Sequence, residues 1–213
     1  CALPILNEDT SSTTNFTVND VETAAGSLVV SMLSSNPSLL PVNRIGITNV
    51  NGTITASFNP ELNQFGSTTL TIRVFDGTTT TNTTMVYTVN PINDVPVISG
   101  TSNVTINEDT TTTTTFSVND VETTDGDLVV SFISSNPELL PVNRIGITNE
   151  NGTITAAFNP ELNQFGSSTL TIRVFDGTAT TNTTMVYTVN PINDVPVISG
   201  TSNVTIKIGR AHV

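Results

Sequence analysis

The chain repeats itself. Asn7-Glu8-Asp9-Thr10 returns as Asn107-Glu108-Asp109-Thr110, and Asn90-Pro91-Ile92-Asn93-Asp94-Val95-Pro96 returns as the segment 190–196. The offset is 100 residues throughout, without a gap, and 94 aligned positions from Asn7 contain 14 differences. Gly200 to Ile206 then repeats Gly100 to Ile106, the opening of a third copy. A unit of about 100 residues can bury its own core, unlike the 20–45-residue units of a solenoid. The repeat therefore predicts beads on a string: one domain over 1–94, a second over 95–194, and the start of a third over 195–206.

The last residues, Lys207-Ile208-Gly209-Arg210-Ala211-His212-Val213, match nothing in the unit. Ile-Gly-Arg-Ala-His-Val is what a common sequencing adapter encodes when read from its third base, and its first two bases complete the lysine codon. Residues 207–213 are therefore expected to be an adapter read as protein, with Asn-Glu-Asp-Thr following Ile206 in the natural chain. The start at Cys1 without a methionine is read as a truncation, so the lack of a leader or anchor carries no information.

Within a unit the apolar residues alternate. Leu70, Ile72 and Val74 share one face, as do Ile54, Ala56 and Phe58, Leu28, Val30 and Met32, and Met85, Tyr87 and Val89. This period of two is that of half-buried strands. Asn51-Gly52 between two such runs predicts a tight hairpin, and Asp76-Gly77, Asn36-Pro37 and Asn59-Pro60 mark further turns. Seven strands result, near 3–6, 14–18, 28–34, 44–49, 53–58, 68–75 and 84–90, with no helical period. The expected fold is all-β: two tandem Ig-like or cadherin-like Greek-key sandwiches of about seven strands each. Phe16 and Phe65 are expected in the core or as staples.

Composition narrows the chemistry. There are 18 acidic residues against six basic ones, a net charge of −12, one histidine and one cysteine. Without the tail, 18 acids face four arginines, with no lysine or histidine. Such a chain repels phosphates and anionic headgroups, which argues against nucleic acid as a partner. One cysteine makes neither an internal disulfide nor a thiolate site. No stretch approaches the roughly 20 apolar residues of a spanning helix, so no membrane insertion is expected in this segment. Gly-x-Ser-x-Gly and phosphate-cradling glycine motifs are absent, and no aromatic cleft is apparent; the chain is expected not to be an enzyme. Thr-rich stretches (78–84, 111–115) suit ordinary β-structure better than an ice-binding or glycan-bearing surface. The sequons at Asn82 and Asn103 are what an Asn/Thr-rich sequence gives by chance.

The acids of the first unit (Glu8, Asp9, Asp20, Glu22, Glu61, Asp76 and Asp94) fall at strand ends or in loops. One account is that solvated turns tolerate charge and favour Asp. The other is that they converge as oxygen ligands for Ca²⁺, which takes 6–8 oxygens from carboxylates, amide carbonyls and backbone. Asp125-Gly126-Asp127, which replaces Ala25-Gly26-Ser27 in the second unit, either strengthens a local site or adds surface charge, and the second reading is favoured.

The order of motifs is more specific. Asn107-Glu108-Asp109-Thr110, Asn119-Asp120-Val121-Glu122-Thr123, Val174-Phe175-Asp176-Gly177 and Asn190-Pro191-Ile192-Asn193-Asp194-Val195-Pro196 together resemble the tandem cadherin-like repeats of very large bacterial surface and secreted proteins. The resemblance covers the chain up to Ile206. It implies Ca²⁺ at the junction between repeats, held by Glu8 of the first unit, Asn93 and Asp94 of the linker, and Asp120, Glu122 and Asp176 of the second unit. Val95 and Pro91 stand where cadherin linkers carry further ligands, and Glu61 only weakly substitutes for a third acidic motif, so about one or two ions per junction are expected. The role implied is that of an extracellular or cell-surface extender in a secreted bacterial adhesin, whose partners are calcium ions and neighbouring repeats. Two alternatives stand beside it. The repeats themselves adhere, binding a cell-surface or polysaccharide ligand or each other, or they form an ancillary module of a secreted enzyme.

Overall fold

A computed structural model describes residues 5–205. The expected strand residues 3–4, the expected adapter over 207–213 and Ile206 at the end of the third-repeat segment lie outside the described residues.

The first unit has seven strands: β1 (Ile5–Asn7), β2 (Ser12–Thr17), β3 (Val29–Ser34), β4 (Ile45–Val50), β5 (Thr53–Phe58), β6 (Gly66–Phe75) and β7 (Thr80–Asn90). They form two sheets, β1-β7-β6-β3 and β2-β5-β4. The second unit has eight: β8 (Val97–Ser99), β9 (Val104–Asn107), β10 (Thr112–Asn119), β11 (Val129–Ser134), β12 (Ile145–Glu150), β13 (Thr153–Phe158), β14 (Gly166–Phe175) and β15 (Thr180–Asn190). Their sheets are β9-β15-β14-β11 and β8-β10-β13-β12. The architecture is thus all-β, with two sandwiches of about seven strands each, as the alternation predicts. Single-turn 3₁₀ segments at 25–27 and 42–44, and their counterparts, were not foreseen.

The pleat explains the core. Ile54, Ala56 and Phe58 on β5 and Leu70 on β6 are fully buried while their neighbours face outward. Phe58 meets Tyr87 with ring centroids 5.0 Å apart, and Phe158 meets Tyr187 at 5.1 Å. At the hairpin, Asn51 and Gly52 both take positive φ, 50° and 83°, as a two-residue turn demands. A Cβ on Gly52 would stand 2.6 Å from the Val18 carbonyl oxygen, so the turn requires glycine for space as well as for φ.

One expectation is corrected. Phe65 is 41% exposed and its counterpart Phe165 60%, so neither belongs to the core. Phe16 does pack against the core. Val97–Ser99, just after the linker, is a strand of the second sandwich.

β1 runs parallel to β7, with Ile5 opposite Thr88 and Asn7 opposite Asn90, and β9 runs parallel to β15 in the same register. This pairing brings the Asn-Glu-Asp-Thr turn to the end of the sandwich from which the linker departs.

Candidate functional site

Each acidic motif is shaped by its own backbone. In the first turn the Glu8 N–H donates to the Asn90 carbonyl at 2.9 Å, and the Thr10 hydroxyl donates to the Asn7 carbonyl at 2.6 Å. Asp9 takes positive φ (59°), and its Oδ1 accepts the Asn63 N–H at 2.9 Å. The turn directs Glu8 inward, where it is only 4% exposed. Its Oε1 accepts the Ile92 N–H at 2.6 Å, tying the linker to the first sandwich.

The Asn-Asp-Val-Glu-Thr loop uses one oxygen of its aspartate for itself. Asp120 Oδ1 accepts the N–H groups of Glu122 (3.2 Å) and Thr123 (2.8 Å), an Asx turn. Asp20 Oδ1 does the same in the first unit, at 3.0 and 2.7 Å, so the loop's shape is intrinsic to its sequence. Asp176 Oδ1 likewise accepts from Thr178 and Ala179 in the Asp-Gly turn.

The linker then joins these motifs. The Asp94 N–H donates to Glu122 Oε2 at 2.9 Å, and Asn93 Nδ2 donates to Asp176 Oδ2 at 3.0 Å. Glu8 lies close enough to Glu122 for the two carboxyl groups to affect one another. The structure thus brings Glu8, Asn93, Asp94, Asp120, Glu122 and Asp176 to one junction. Glu61 does not join them: its carboxylate pairs with Arg44 at 2.7 Å.

Four carboxylate oxygens at this junction are buried without a hydrogen-bond partner: Glu8 Oε2, Asp94 Oδ2, Asp120 Oδ2 and Glu122 Oε1. A buried acceptor left unsatisfied costs about 1–3 kcal/mol, and more when charged. Like charges drawn together add to that cost. The equivalent side chains Asp20, Glu22 and Glu108 have no such oxygen among the described residues, so the loop sequence alone does not produce it.

The electrostatics agree. Burial raises the Glu8 pKa above its ordinary value; the bond from Ile92 opposes this, while Glu122 and then Asp9 add to it. Asp176 is held below the usual carboxylate range, chiefly by the Ala179 N–H, with Thr178 and the Asn93 amide assisting. Asp76 is lowered too, first by the Thr79 hydroxyl.

The donor set is carboxylate and amide oxygen without sulfur or imidazole, which suits a hard cation such as Ca²⁺. Among the described residues, no three Asp, Glu, His or Cys side chains are already gathered into a metal-holding cluster.

Of the two sequence readings of Asp125, surface charge was the one favoured. The residue is half-buried, and its Oδ1 accepts the Asp120 N–H at 3.2 Å, so it braces the ligand loop instead of merely adding surface charge. Asn103, one of the formal sequons, accepts the Val186 N–H at 2.8 Å and so has a structural task. Among the described residues, no helix is long and apolar enough to cross a membrane.

No curated protein matches the chain. Among solved structures it is similar to the titin domains z1z2 in complex with telethonin, at 13% identity over 90% of this chain and 93% of that one, with a TM-score of 0.43. An endo-fucoidan hydrolase of glycoside hydrolase family 107 is 17% identical, covering 89% of this chain and 27% of that one, with a TM-score of 0.37. The surface layer protein SbsC, domains 1–6, is 18% identical over 82% and 21%, with a TM-score of 0.39. Residues 93–190 match the family model described as bacterial Ig domain.

Proposed function

We propose that the chain is a structural extender of an extracellular adhesin-like array, in which Ca²⁺ binds between repeats and stiffens the linker. The observation that supports this reading most is the set of four buried, unpartnered carboxylate oxygens contributed by both units and the linker. A divalent cation would satisfy them at once. Glu8, Asp94, Asp120 and Glu122 would supply carboxylate oxygens, with Asn93 and Asp176 adjoining; small side-chain rotations would draw these groups around the ion. A cation held by both sandwiches converts mutual repulsion into a shared attachment and favours one relative orientation. The Ig-like character of the second repeat and its tandem arrangement fit a spacer role, as does the scarcity of cations that could otherwise pair these acids.

The deciding experiment is small-angle scattering of the full chain in Ca²⁺ and in chelator. A longer, straighter particle in Ca²⁺ supports the proposal. Superimposable profiles, together with no heat of Ca²⁺ binding by calorimetry, would sink it.

A further inference from the structure

The two acidic loops share one sequence and differ in how they are held. Asn19-Asp20-Val21-Glu22-Thr23 recurs unchanged as Asn119-Asp120-Val121-Glu122-Thr123, and in both the aspartate closes the same Asx turn. The 3₁₀ turn that follows is pinned alike in each unit. Asn49 Nδ2 donates to the Ala25 and Leu28 carbonyls, both at 2.9 Å, and Asn149 Nδ2 donates to the Asp125 and Leu128 carbonyls at 2.9 and 3.2 Å. Asn49 Oδ1 accepts the hairpin Gly52 N–H and Asn149 Oδ1 the Gly152 N–H, each at 2.9 Å. The turn is thereby anchored to the hairpin.

The second unit adds one link. Asp125 Oδ1 accepts the Asp120 N–H at 3.2 Å, where Ala25 offers Asp20 only a methyl group. The Asp125 side chain is itself confined. A Cβ on Gly152 would stand 2.9 Å from Asp125 Cβ and 3.1 Å from its Oδ2, so the bare glycine leaves the space that the carboxylate occupies. A continuous path of hydrogen bonds runs from the hairpin through Asn149 and the 3₁₀ turn to the Asp120 backbone, and from Asp120 Oδ1 on to Glu122 and Thr123. At its far end lie Asp120 Oδ2 and Glu122 Oε1, two of the buried oxygens without a partner.

We propose that Asp125 is a positioning residue for the cation between the units: through one hydrogen bond to the Asp120 N–H it fixes the loop that presents Asp120 Oδ2 and Glu122 Oε1, and so sets how tightly Ca²⁺ is held. This rests on the Ca²⁺ reading of the junction. A loop that must be ordered when the ion arrives binds it more weakly than one already in place, and the hydrogen-bond partners behind a metal's ligands contribute to its affinity. The effect is one of geometry, so an uncharged acceptor at position 125 serves as well as a carboxylate. Asp127, exposed two residues on, adds the same charge and serves as the control for it.

Calorimetric titration of the full chain with Ca²⁺, beside hydrogen exchange of the Asp120 amide in chelator, tests this. Asp125→Ala installs the residue that the first unit carries, so the fold is retained. It should weaken Ca²⁺ binding by about three- to tenfold, the worth of one net hydrogen bond, and speed exchange of the Asp120 amide by a like factor. Asp125→Asn keeps the acceptor and should bind within about twofold of wild type, as should Asp127→Ser, which removes an equal charge. A wild-type chain that takes up no Ca²⁺ overturns the junction reading and this proposal together. Where wild type binds, three results would each overturn the positioning role alone: undiminished affinity or unaltered amide exchange in Asp125→Ala, an Asp125→Asn variant as weak as Asp125→Ala, or an equal loss in Asp127→Ser.

Discussion

The backbone N–H of Asp94 donates to Glu122 Oε2 at 2.9 Å, across the boundary between linker and second sandwich. One oxygen of Glu122 is thereby spent on positioning, while the other, Oε1, stays buried and unpartnered. Glu8 repeats the pattern on the opposite side, with Oε1 on Ile92 and Oε2 free. Each glutamate so orients the linker with one oxygen and offers the other to whatever lies between the units.

Calcium should stabilise the chain. At a free Ca²⁺ concentration about a hundredfold above Kd, binding to the native state alone adds about 2.7 kcal/mol. The expected outcome is a Ca²⁺-dependent rise in Tm by scanning calorimetry, reversed by chelator.

Glu8 and Glu108 provide an internal control. Both accept an isoleucine N–H at 2.6 Å, and glutamine preserves that acceptor. Glu8→Gln should abolish the Ca²⁺ effect at the inner junction, whereas Glu108→Gln should leave it intact. In chelator, Glu8→Gln should raise stability by roughly 1–2 kcal/mol, because it removes a buried charge that repels Glu122. Calorimetric titration and melting of the two variants side by side check this.

Stability without Ca²⁺ should peak in mild acid. The folded pKa of Glu8 lies above its ordinary 4.5, so the native junction holds more protons than the unfolded chain in that window, and stability falls as pH rises through it. Asp76 and Asp176 lie below their ordinary 3.8, and their contribution is lost as pH falls through the lowered values. Ca²⁺ binds the deprotonated form and should move the optimum toward neutral pH. Tm measured against pH, with and without Ca²⁺, reads both windows, and Glu8→Gln should flatten the neutral limb.

The two buried tyrosines should respond differently to loss of the hydroxyl. Tyr87 Oη lies 3.3 Å from Ser12 Oγ, whereas Tyr187 Oη is buried without a partner and its pKa is pushed up to about 12 by burial. Tyr87→Phe should cost about 1 kcal/mol, and Tyr187→Phe should be neutral or stabilising. Urea denaturation of the two variants separates these outcomes.

The strands were legible because a period of two over five or more residues admits one reading, as in Ile54-Ala56-Phe58. The ligand loops were legible because Asx turns and the Asn-Glu-Asp-Thr turn are set by residues close in sequence. β8 was not. Val95-Pro96-Val97-Ile98-Ser99 has no alternation and begins at a proline; it becomes a strand only where β10 offers an edge, and the identical segment 195–199 stays unpaired. The exposure of Phe65 was not legible because it depends on a loop path that only the folded chain shows. The bracing role of Asp125 was not legible because it depends on the Asp120 N–H being turned toward it, a matter of geometry and not of residue type.

The parallel pairing of β1 with β7, and of β9 with β15, has a mechanical consequence. In each sandwich a strand near the chain's entry lies beside the exit strand and points the same way, with β8 preceding it in the second. Tension along the chain therefore loads their hydrogen bonds in shear, all together, where an antiparallel hairpin would let them peel apart one after another. A bead built this way resists being pulled open between two anchored ends.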